Sequence, residues 1–371
     1  MTTPSFDIAV IGAGIAGATV ASALSADYRV ALIEAEAQAG YHTTGRSAAI
    51  WVLNYGPPDV RVLTGLSRGF FLKPPADISE VPLGTHRSNI YLAPEQEIAA
   101  LDALIAQRLG IVEIPLAEVK RRVPVLKEGY AVRAALEDNT FDMDVGGLHQ
   151  GFLRRLRRAG GQLMLRHRAG RIARAAGMWA VETTSGVTIH APLLVNAAGA
   201  WGDEVAALAG VAPLGLTACR RTACLIDPGT HDVADWPMVQ SAGHFWYARP
   251  EARRKLMVTP CDETPMRPHD VRPDELDVAI AIDRMQQALD IPVRRVEHSW
   301  AGLRTFSPDR SLAFGWENAV PGFFWCVGQG GYGIQTAPAA GRLVADMIAG
   351  RDPGEAGSVI DAIDPMRFRK I

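Results

Sequence analysis

Residues 7–34, DIAVIGAGIAGATVASALSADYRVALIE, decide the fold of this chain. A short apolar run at 7–11 leads directly into GAGIAG at 12–17, and a second apolar run at 28–33 ends at Glu34. Uninterrupted apolar runs of this length are typical of strands buried on both faces, and the alanine-rich segment between them favours a helix. The stretch therefore predicts a β–α–β unit at the start of an α/β domain.

The glycine spacing in this setting predicts a dinucleotide site. Gly12 makes the tight turn, Gly14 lets a pyrophosphate approach the backbone, and Gly17 lets the helix pack closely on the strand. The N-terminus of the helix then offers N–H groups and a positive dipole end to the phosphates. Glu34 is placed to accept hydrogen bonds from ribose hydroxyls, and its carboxylate would repel the 2′-phosphate of NADP. Glu34 could instead be a surface residue at the end of the strand. Glu36 is the weaker candidate for binding the ribose. The motif alone does not separate NAD from FAD.

Two further segments favour FAD. The segment 43–49, TTGRSAA, is small and hydroxylated and could thread beneath a pyrophosphate and an isoalloxazine ring. The segment 328–333, GQGGYG, precedes the last predicted helix, and its glycines would let backbone N–H groups reach a ring carbonyl. Each segment taken alone could be only a loop, but together with the β–α–β unit they indicate FAD.

The chain has 371 residues, which suits two domains. Helical patterns occur at 95–109, 116–123, 144–158, 273–289 and 335–349, and strand-like runs lie between them. We predict an α/β fold in which a Rossmann-like FAD-binding domain carries an inserted α+β substrate domain built on an antiparallel sheet. The predicted FAD-binding domain comprises residues 1–82, 142–214 and 298–371, and the substrate domain comprises residues 83–141 and 215–297.

Charge and composition exclude several function classes. The formal net charge of -2 gives no general attraction to nucleic acid or to an anionic membrane. The chain has no apolar run of about 18 residues and starts without a signal-peptide pattern. We therefore expect a cytoplasmic protein without stable membrane insertion, able to dock peripherally at the inner membrane. No metal site is expected, because the four cysteines show neither CxxC pairs nor His/Cys spacing: Cys219, Cys224, Cys261 and Cys326.

Several longer strings make the chain resemble the D-amino-acid oxidase superfamily of flavoproteins, and within it the D-arginine dehydrogenases. The strings span nearly the whole chain, so the resemblance is much more specific than one glycine motif. They are VIGAGIAG (10–17), YHTTGRSAA (41–49), LHQGFLRR (148–155), VNAAGAW (195–201), LAGVAPLGL (208–216), AGLRTFSPD (301–309) and FFWCVGQGGYGIQT (323–336).

The resemblance implies a non-covalently bound FAD and a set of contacts to it. Relatives that anchor flavin covalently use a cysteine near the AGLR segment, and none is present around Gly302. Ala169 would offer backbone atoms to the adenine. The other implied contacts, beyond the glycines of the motif, are Ala16, Glu34, Ala35, Thr43, Thr44, Gly45, Arg46, Ser47, Ala48, Ala49, Gly199, Gly330, Gly331, Tyr332, Gly333, Ile334 and Gln335.

The resemblance also implies a clamp for a substrate carboxylate, made by Arg221, Arg304 and Tyr247. A guanidinium group matches a carboxylate bidentately, a tyrosine hydroxyl adds a third bond, and such a clamp orients the substrate Cα. Tyr55 would sit on a loop that closes the site, and Gln335 would lie near the ring and the substrate.

Alternatives remain for the residues of the clamp. Arg221 could instead form an ion pair within its sheet, and neighbouring Arg220 could take its role. Arg304 is expected beside a turn at 302–303. Tyr55 and Tyr247 could be core residues, because buried aromatic side chains are common.

The implied side-chain pocket comprises Ile50, Val52, Asn89, Met238, Gln240 and Gly302, and several of these depart from the D-arginine dehydrogenase pattern. Asn89 replaces a glutamate that pairs with a cationic tail. Ile50 and Val52 replace a histidine and a threonine, and Gln240 replaces a valine. Losing the carboxylate leaves nothing to offset the desolvation of a guanidinium tail. A neutral tail is therefore expected, and D-Arg and D-Lys are expected to be poor substrates.

The implied activity is oxidative deamination of a D-amino acid to a 2-oxo acid and ammonia, by hydride transfer from Cα to flavin N5. Oxidation of an N-alkyl glycine, a cyclic imino acid or a 2-hydroxy acid in the same fold is the alternative. Oxidases of the superfamily use a lysine to activate oxygen, but residues 255–267 hold only Lys255, at the wrong end. We thus expect a dehydrogenase that passes electrons to a quinone or a protein carrier. His42 and His244 could approach the site, but we expect solvent to accept the ammonium proton.

Overall fold

The computed structural model describes residues 5–251 and 254–369 of the chain. Its α-helices, numbered in chain order, are α1 (Ile15–Leu24), α2 (Pro58–Leu72), α3 (Ile98–Ala106), α4 (Leu116–Arg122), α5 (Val145–Arg158), α6 (Gly202–Leu208), α7 (Glu275–Ala288), α8 (Gly333–Ala349) and α9 (Ile360–Ile363). Its strands are β1 (Ile8–Ile11), β2 (Val30–Ile33), β3 (Ile50–Trp51), β4 (Gly84–His86), β5 (Asn89–Ala93), β6 (Ile111–Ile114), β7 (Arg133–Glu137), β8 (Phe141–Met143), β9 (Gln162–Met164), β10 (Ala169–Ala175), β11 (Met178–Thr183), β12 (Thr188–Ala191), β13 (Leu193–Asn196), β14 (Thr217–Ile226), β15 (Met238–Ser241), β16 (Tyr247–Glu251), β17 (Lys255–Thr259), β18 (Thr264–Met266), β19 (Val296–Phe306), β20 (Ala313–Trp316) and β21 (Phe323–Val327).

The first of the two large sheets contains the predicted β–α–β unit. Its order is β20-β21-β13-β1-β2-β9, with parallel pairing throughout except at the edge strand β20. Strands β1 and β2 are buried along their whole length, as expected for a parallel sheet covered on both faces. Helices α1, α5 and α8 share one core on one face, and the three-stranded sheet β10-β11-β12 packs on the other. The predicted α/β class and Rossmann-like architecture are confirmed.

The second large sheet has nine strands and is mostly antiparallel. Its order is β18-β14-β17-β16-β15-β5-β7-β6, and β19 pairs with β14. Only β5 and β15 run parallel to each other within it. Side chains alternate between the two faces of a strand, and one face buries Cys224, Val239 and Val258 in an apolar core with α7. The opposite face is therefore left to form the candidate site.

Strand β19 corrects one expectation and crosses a predicted domain boundary. Arg304 does not lie beside a turn, because Gly302 and Leu303 are inside β19, whose pairing with β14 covers Val296 to Phe306. The boundary predicted at residue 298 consequently falls within a strand of the nine-stranded sheet. The glycine suggested a turn, whereas in a strand it can also mark a place where another group approaches the backbone closely.

The helices follow the predicted pattern with three additions. The helix expected at 95–109 starts as a 3-10 turn and continues as α3, and Asp144 caps α5 by accepting a hydrogen bond from the N–H of Gly147 at 2.8 Å. Helices α2, α6 and the short α9 had no sequence prediction. Among the described residues, none of these helices combines the length and the apolar character needed to cross a membrane.

Candidate active site

A long cavity runs between the two large sheets. At one end it is lined by the loops that follow β1, β2 and β13, and at the other by side chains of β14, β16 and β19. In α/β sheets, ligands bind outside the carboxyl ends of the parallel strands, where these loops meet. The cavity is therefore placed so that a dinucleotide at the first sheet reaches the face of the second.

The glycines of the first loop have a structural reason to be glycines. Gly12 has a φ of +100°, and a Cβ there would lie 2.5 Å from the carbonyl oxygen of Ala197. A Cβ on Gly17 would lie 1.8 Å from the carbonyl oxygen of Gly12, so Gly17 sets the packing of α1 on the loop and does not line the cavity. Gly14 and Ala16 do line it, at the N-terminus of α1. This end presents helix N–H groups to an anion.

Glu34 is buried beside this loop. Its carboxylate accepts hydrogen bonds from the N–H groups of Ala13 and Glu36, at 2.8 and 2.9 Å, and it lines the cavity. Glu36 itself faces His42 and Arg168, at 3.2 and 3.3 Å. Glu34 is thus oriented by the backbone with lone pairs left for hydroxyl donors, which fits an adenosine ribose. Ala35 and Ala169 line the same end.

The segment 43–49 joins the two sheets at the middle of the cavity. The Thr44 hydroxyl accepts a hydrogen bond from the Ile15 N–H at 2.9 Å, and the Thr43 hydroxyl donates to the Leu303 carbonyl at 2.6 Å. Arg46 forms an ion pair with Asp270 and donates to the Ala301 carbonyl at 3.1 Å, so its cation is already engaged. Within this segment the cavity is lined by Thr43, Thr44, Arg46, Ser47 and Ala48 but not by Gly45 or Ala49.

The turn at 328–333 completes the cavity from the other side. Gly330 has a φ of +48° and donates its N–H to the Thr305 carbonyl at 2.8 Å, which ties the turn to β19. Helix α8 begins at Gly333, so the N-terminus of a 17-residue helix points at the cavity. Such an end suits negative charge on a bound group. Here the cavity is lined by Gly330, Gly331, Gly333 and Ile334 but not by Tyr332.

The strand register places the predicted substrate residues together. Arg221 of β14 lies opposite Gly302 of β19, and Tyr247 of β16 lies opposite Gln240 of β15. Because alternate residues share a face, these side chains and those of Arg304, Met238 and Asn89 lie on the sheet face opposite the α7 core. Arg221, Tyr247, Gly302 and Arg304 line the cavity directly.

Arg304 lies on this face without an acidic partner among the residues that the structure describes. Its Nη1 donates a hydrogen bond to the Tyr55 hydroxyl at 2.6 Å. Among the described residues, no carboxylate lies within 4.0 Å of its guanidinium group. Tyr247, only 7% exposed, is beside it, and burial raises the pKa of the Tyr247 hydroxyl, which stays a proton donor at neutral pH. Tyr55, Tyr247 and Arg304 therefore form a donor-rich corner that fits a carboxylate.

Arg221 differs because it already has partners. Its Nε donates to the Asp262 carbonyl at 2.7 Å, and its Nη2 lies 3.1 Å from Glu263, which also pairs with Arg310. Neighbouring Arg220 projects to the other face, where it pairs with Asp277 at 2.7 Å. Arg220 cannot replace Arg221 in the cavity, and Arg221 would share its charge between Glu263 and a ligand.

Gln335 lies beneath the Tyr55 loop and does not line the cavity. Its Nε2 donates to the Thr64 hydroxyl at 2.9 Å and to the Tyr55 carbonyl at 3.3 Å, and its Oε1 accepts from the Val52 N–H at 3.5 Å. The amide therefore supports the loop that carries Tyr55.

The residues predicted to form the side-chain pocket lie next to the clamp as an apolar cluster with one polar edge. Met238 and Tyr247 pack with Ala223 and Met257, and Ile50 contacts this cluster. At the edge, Gln240 donates to the Asn89 side chain at 3.0 Å and lies 3.0 Å from His244 Nδ1. Ile50, Val52, Asn89, Met238 and Gln240 are outside the cavity lining itself.

Sequence reasoning missed part of the wall after β13. The Ala197–Ala198 backbone, Gly199 and Trp201 line the cavity, and the Trp201 ring lies 4.6 Å from that of His42. Only Gly199 was predicted as a contact. A signal was available, because β13 pairs in parallel with β1 and its carboxyl end must open at the same edge of the sheet.

The family of the chain follows from a match that covers nearly all of it. Residues 7–347 match the model of the FAD-dependent oxidoreductase (DAO) family. The chain belongs to this family of FAD-dependent oxidoreductases. The resemblance to the D-amino-acid oxidase superfamily is therefore confirmed, and FAD is the cofactor.

Individual relatives of this FAD-dependent oxidoreductase are distant. It is 27% identical over 179 residues to FAD-dependent oxidoreductase domain-containing protein 1 of Bos taurus, covering 43% of this chain and 36% of that protein. The match thus spans about a third of the curated relative. Two solved structures share the fold: L-proline dehydrogenase from P. horikoshii, with a TM-score of 0.85, 21% identity and 99% and 98% of the two chains covered, and glycine oxidase from Geobacillus kaustophilus, with a TM-score of 0.84, 21% identity and full coverage of both.

Proposed function

We propose that the protein is a dehydrogenase that deaminates a D-amino acid with a neutral side chain, giving a 2-oxo acid and ammonia. The observation that carries the proposal is the Arg304 guanidinium, which faces the cavity without a carboxylate partner among the described residues and with the Tyr55 and Tyr247 hydroxyls beside it. A guanidinium group that faces a cavity without a carboxylate partner is stabilised when an anionic ligand binds beside it.

FAD fits the cavity by the chemistry of its walls. Glu34 would hold the ribose, the α1 N-terminus the pyrophosphate, and segments 43–48 and 330–334 the ring. The Gly302 backbone faces the cavity, and an added Cβ there would be in van der Waals contact with the Arg46 Cβ at 3.5 Å. Bound FAD supplies the hydride acceptor.

The residues of the clamp would orient the substrate and leave its amine free to lose a proton. Arg304, Tyr55 and Tyr247 would hold the carboxylate, and Arg221 would add a weaker attraction. The carboxylates among the described residues that line the cavity are Glu34, Glu36 and Glu204, and none belongs to the strands of the clamp. Water is the acceptor of the ammonium proton that this arrangement favours.

The proposal of a neutral substrate side chain rests on the residues predicted to form the side-chain pocket. Ile50, Met238 and Met257 offer apolar contact, and Asn89 with Gln240 offers amide groups. A guanidinium or ammonium tail would lose its hydration against these groups, because Asn89 is neutral and the Glu137 carboxylate opposite it in the sheet already accepts hydrogen bonds from two other side chains.

The proposed acceptor is a quinone or a protein carrier, with peripheral membrane docking as one way to reach it. Lys255 is paired with Asp227 and Glu297 at 3.1 and 2.9 Å and does not line the cavity. It is therefore not placed to activate oxygen. Slow peroxide formation in air is the expected result; fast formation would contradict this part of the proposal.

An anaerobic screen of D- and L-amino acids, followed by bleaching of the flavin absorbance, tests the proposal. D-Met, D-Phe, D-Leu and D-Gln should reduce the flavin with a higher kcat/KM than D-Arg. A kcat/KM for D-Arg above all four would overturn the assignment of a neutral tail.

The same carboxylate clamp would also serve an N-alkyl glycine, a cyclic imino acid or a 2-hydroxy acid. One of the two similar structures is a proline dehydrogenase, and its name favours a cyclic imino acid among these alternatives. Ammonia release separates these cases, because only a primary amine yields it after oxidation and hydrolysis.

A further inference from the structure

A buried carboxylate lies behind the clamp. Glu137 of β7, opposite Asn89 in the register, is 1% exposed. One oxygen accepts a hydrogen bond from Asn54 Nδ2 and the other from the Tyr91 hydroxyl, both at 2.7 Å. No cation among residues 5–251 and 254–369 lies within ion-pair distance of it. Burial raises the pKa of Glu137, and these two donors oppose the shift.

The donor Asn54 belongs to the loop that carries Tyr55. Asn54 is 5% exposed, so its amide is fixed inside the molecule, and its neighbour Tyr55 accepts the hydrogen bond from Arg304. Gln335 binds the same loop from the other side, through the Tyr55 carbonyl and the Val52 N–H. Two buried polar side chains from elements distant in sequence therefore hold the loop: Glu137 binds the side chain of Asn54, and Gln335 binds the loop backbone.

We propose that Asn54 and Glu137 are positioning residues that hold the Tyr55 hydroxyl against Arg304 before the substrate arrives. This deepens the proposed function and rests on it, because it assumes that Arg304 and Tyr55 bind a carboxylate. A loop ordered in advance loses less conformational freedom when the ligand binds, which strengthens binding without changing the chemical step.

The test compares Asn54→Ala with Tyr91→Phe. Each variant removes one hydrogen bond from the same Glu137 carboxylate, but only Asn54→Ala releases the Tyr55 loop. In Asn54→Ala, backbone hydrogen exchange at residues 52–57 of the resting holoenzyme should be about tenfold faster or more. KM for the best substrate of the screen should rise about tenfold, and flavin reduction at saturation should stay within about threefold. In Tyr91→Phe, exchange at 52–57 and KM should both remain within about twofold of wild type.

A conservative variant provides the rescue. In Glu137→Gln the new amide can donate to Asn54 Oδ1, which has no partner now, and its oxygen can still accept from Tyr91. This variant should keep the slow exchange and the low KM. Asn54→Ser, which retains a shorter donor, replaces Asn54→Ala if the latter does not fold.

Unchanged exchange at 52–57 in Asn54→Ala would overturn the inference, and so would an equal effect of Tyr91→Phe. Exchange is measured without substrate. A screen in which no amino acid reduces the flavin would therefore refute the proposed function while leaving the exchange result to decide on Asn54 and Glu137.

Discussion

The two arginines of the clamp look equivalent in the sequence, but their surroundings separate them. Arg304 faces the cavity with tyrosine hydroxyls beside it, whereas Arg221 already lies 3.1 Å from Glu263. A guanidinium group without a partner gains more from a ligand carboxylate than one whose charge is shared. Arg304 should therefore carry most of the substrate affinity.

Replacing each arginine by glutamine checks this difference. Arg304→Gln should lower kcat/KM for the best substrate by about 100-fold or more, because a charge-assisted pair is lost. Arg221→Gln should lower it by about tenfold, since Glu263 keeps its pairing with Arg310. Anaerobic stopped-flow reduction gives both values, and a larger loss in Arg221→Gln would reverse the assignment.

The buried His149 leads to a second prediction, which concerns the pH dependence of stability. Its ring is 4% exposed, lies 2.9 Å from the Ala13 carbonyl, and burial lowers its pKa. The unfolded chain then binds more protons than the folded one below the ordinary histidine pKa of about 6.5, so stability falls as pH drops through that value.

The urea midpoint of wild type should therefore fall more between pH 7.5 and 5.5 than that of His149→Gln. His86, whose side chain is 68% exposed, gives the matched control: His86→Gln should follow the wild-type pH dependence. If the urea midpoints of wild type and His149→Gln change equally with pH, the His149 ring does not contribute to the pH dependence of stability.

At the scale of elements, alanine substitutions at two glycines should change the stability of the protein in opposite directions. Gly17→Ala should destabilise the holoenzyme and lower its FAD content, because the added Cβ would lie 1.8 Å from the Gly12 carbonyl oxygen. Gly69, inside α2, has open space around the position that a Cβ would take, with no atom within 4 Å. Gly69→Ala should stabilise the protein by about 0.5–1 kcal/mol through helix propensity. Urea unfolding and the ratio of absorbance at 450 and 280 nm measure the two effects.

The sequence could predict elements whose signal is local. The apolar runs and glycine spacing of 7–34 predicted β1, α1 and β2, and Asp144 predicted the start of α5. Helix α2 escaped because Gly65 and Gly69 lower the helix signal inside it. Gly302 suggested a turn for a similar reason, although pairing with Arg221 keeps it in β19.

The parts of the site that escaped prediction depend on partners far apart in the chain. The role of Glu137 can be inferred only from its hydrogen bond with Asn54, which is 83 residues away, and from its strand pairing with Asn89. The partners that distinguish Arg221 from Arg304 likewise come from distant parts of the chain, Glu263 from the loop between β17 and β18 and Tyr55 from the loop between β3 and α2. No periodicity within one segment carries this information.

For the molecule as a whole, the cavity predicts how FAD is held. No cysteine is found among the described residues that line it, which favours a non-covalently bound FAD. Acid precipitation should release all of the yellow colour into the supernatant, and coloured pellets would contradict non-covalent binding. Added FAD at about 100 times its Kd should stabilise the fold by about 2.7 kcal/mol, seen as a higher Tm.

Strand β19 touches both halves of this arrangement. Its Ala301 and Leu303 carbonyls accept hydrogen bonds from Arg46 and Thr43, while Arg304 turns towards the substrate corner. We therefore expect β19 to couple the occupancies of the two halves, and thermodynamic reciprocity requires such an effect to be equal in both directions. A saturating carboxylate inhibitor should lower the Kd of the protein for FAD, and the apoprotein should bind that inhibitor more weakly than the holoenzyme by the same factor.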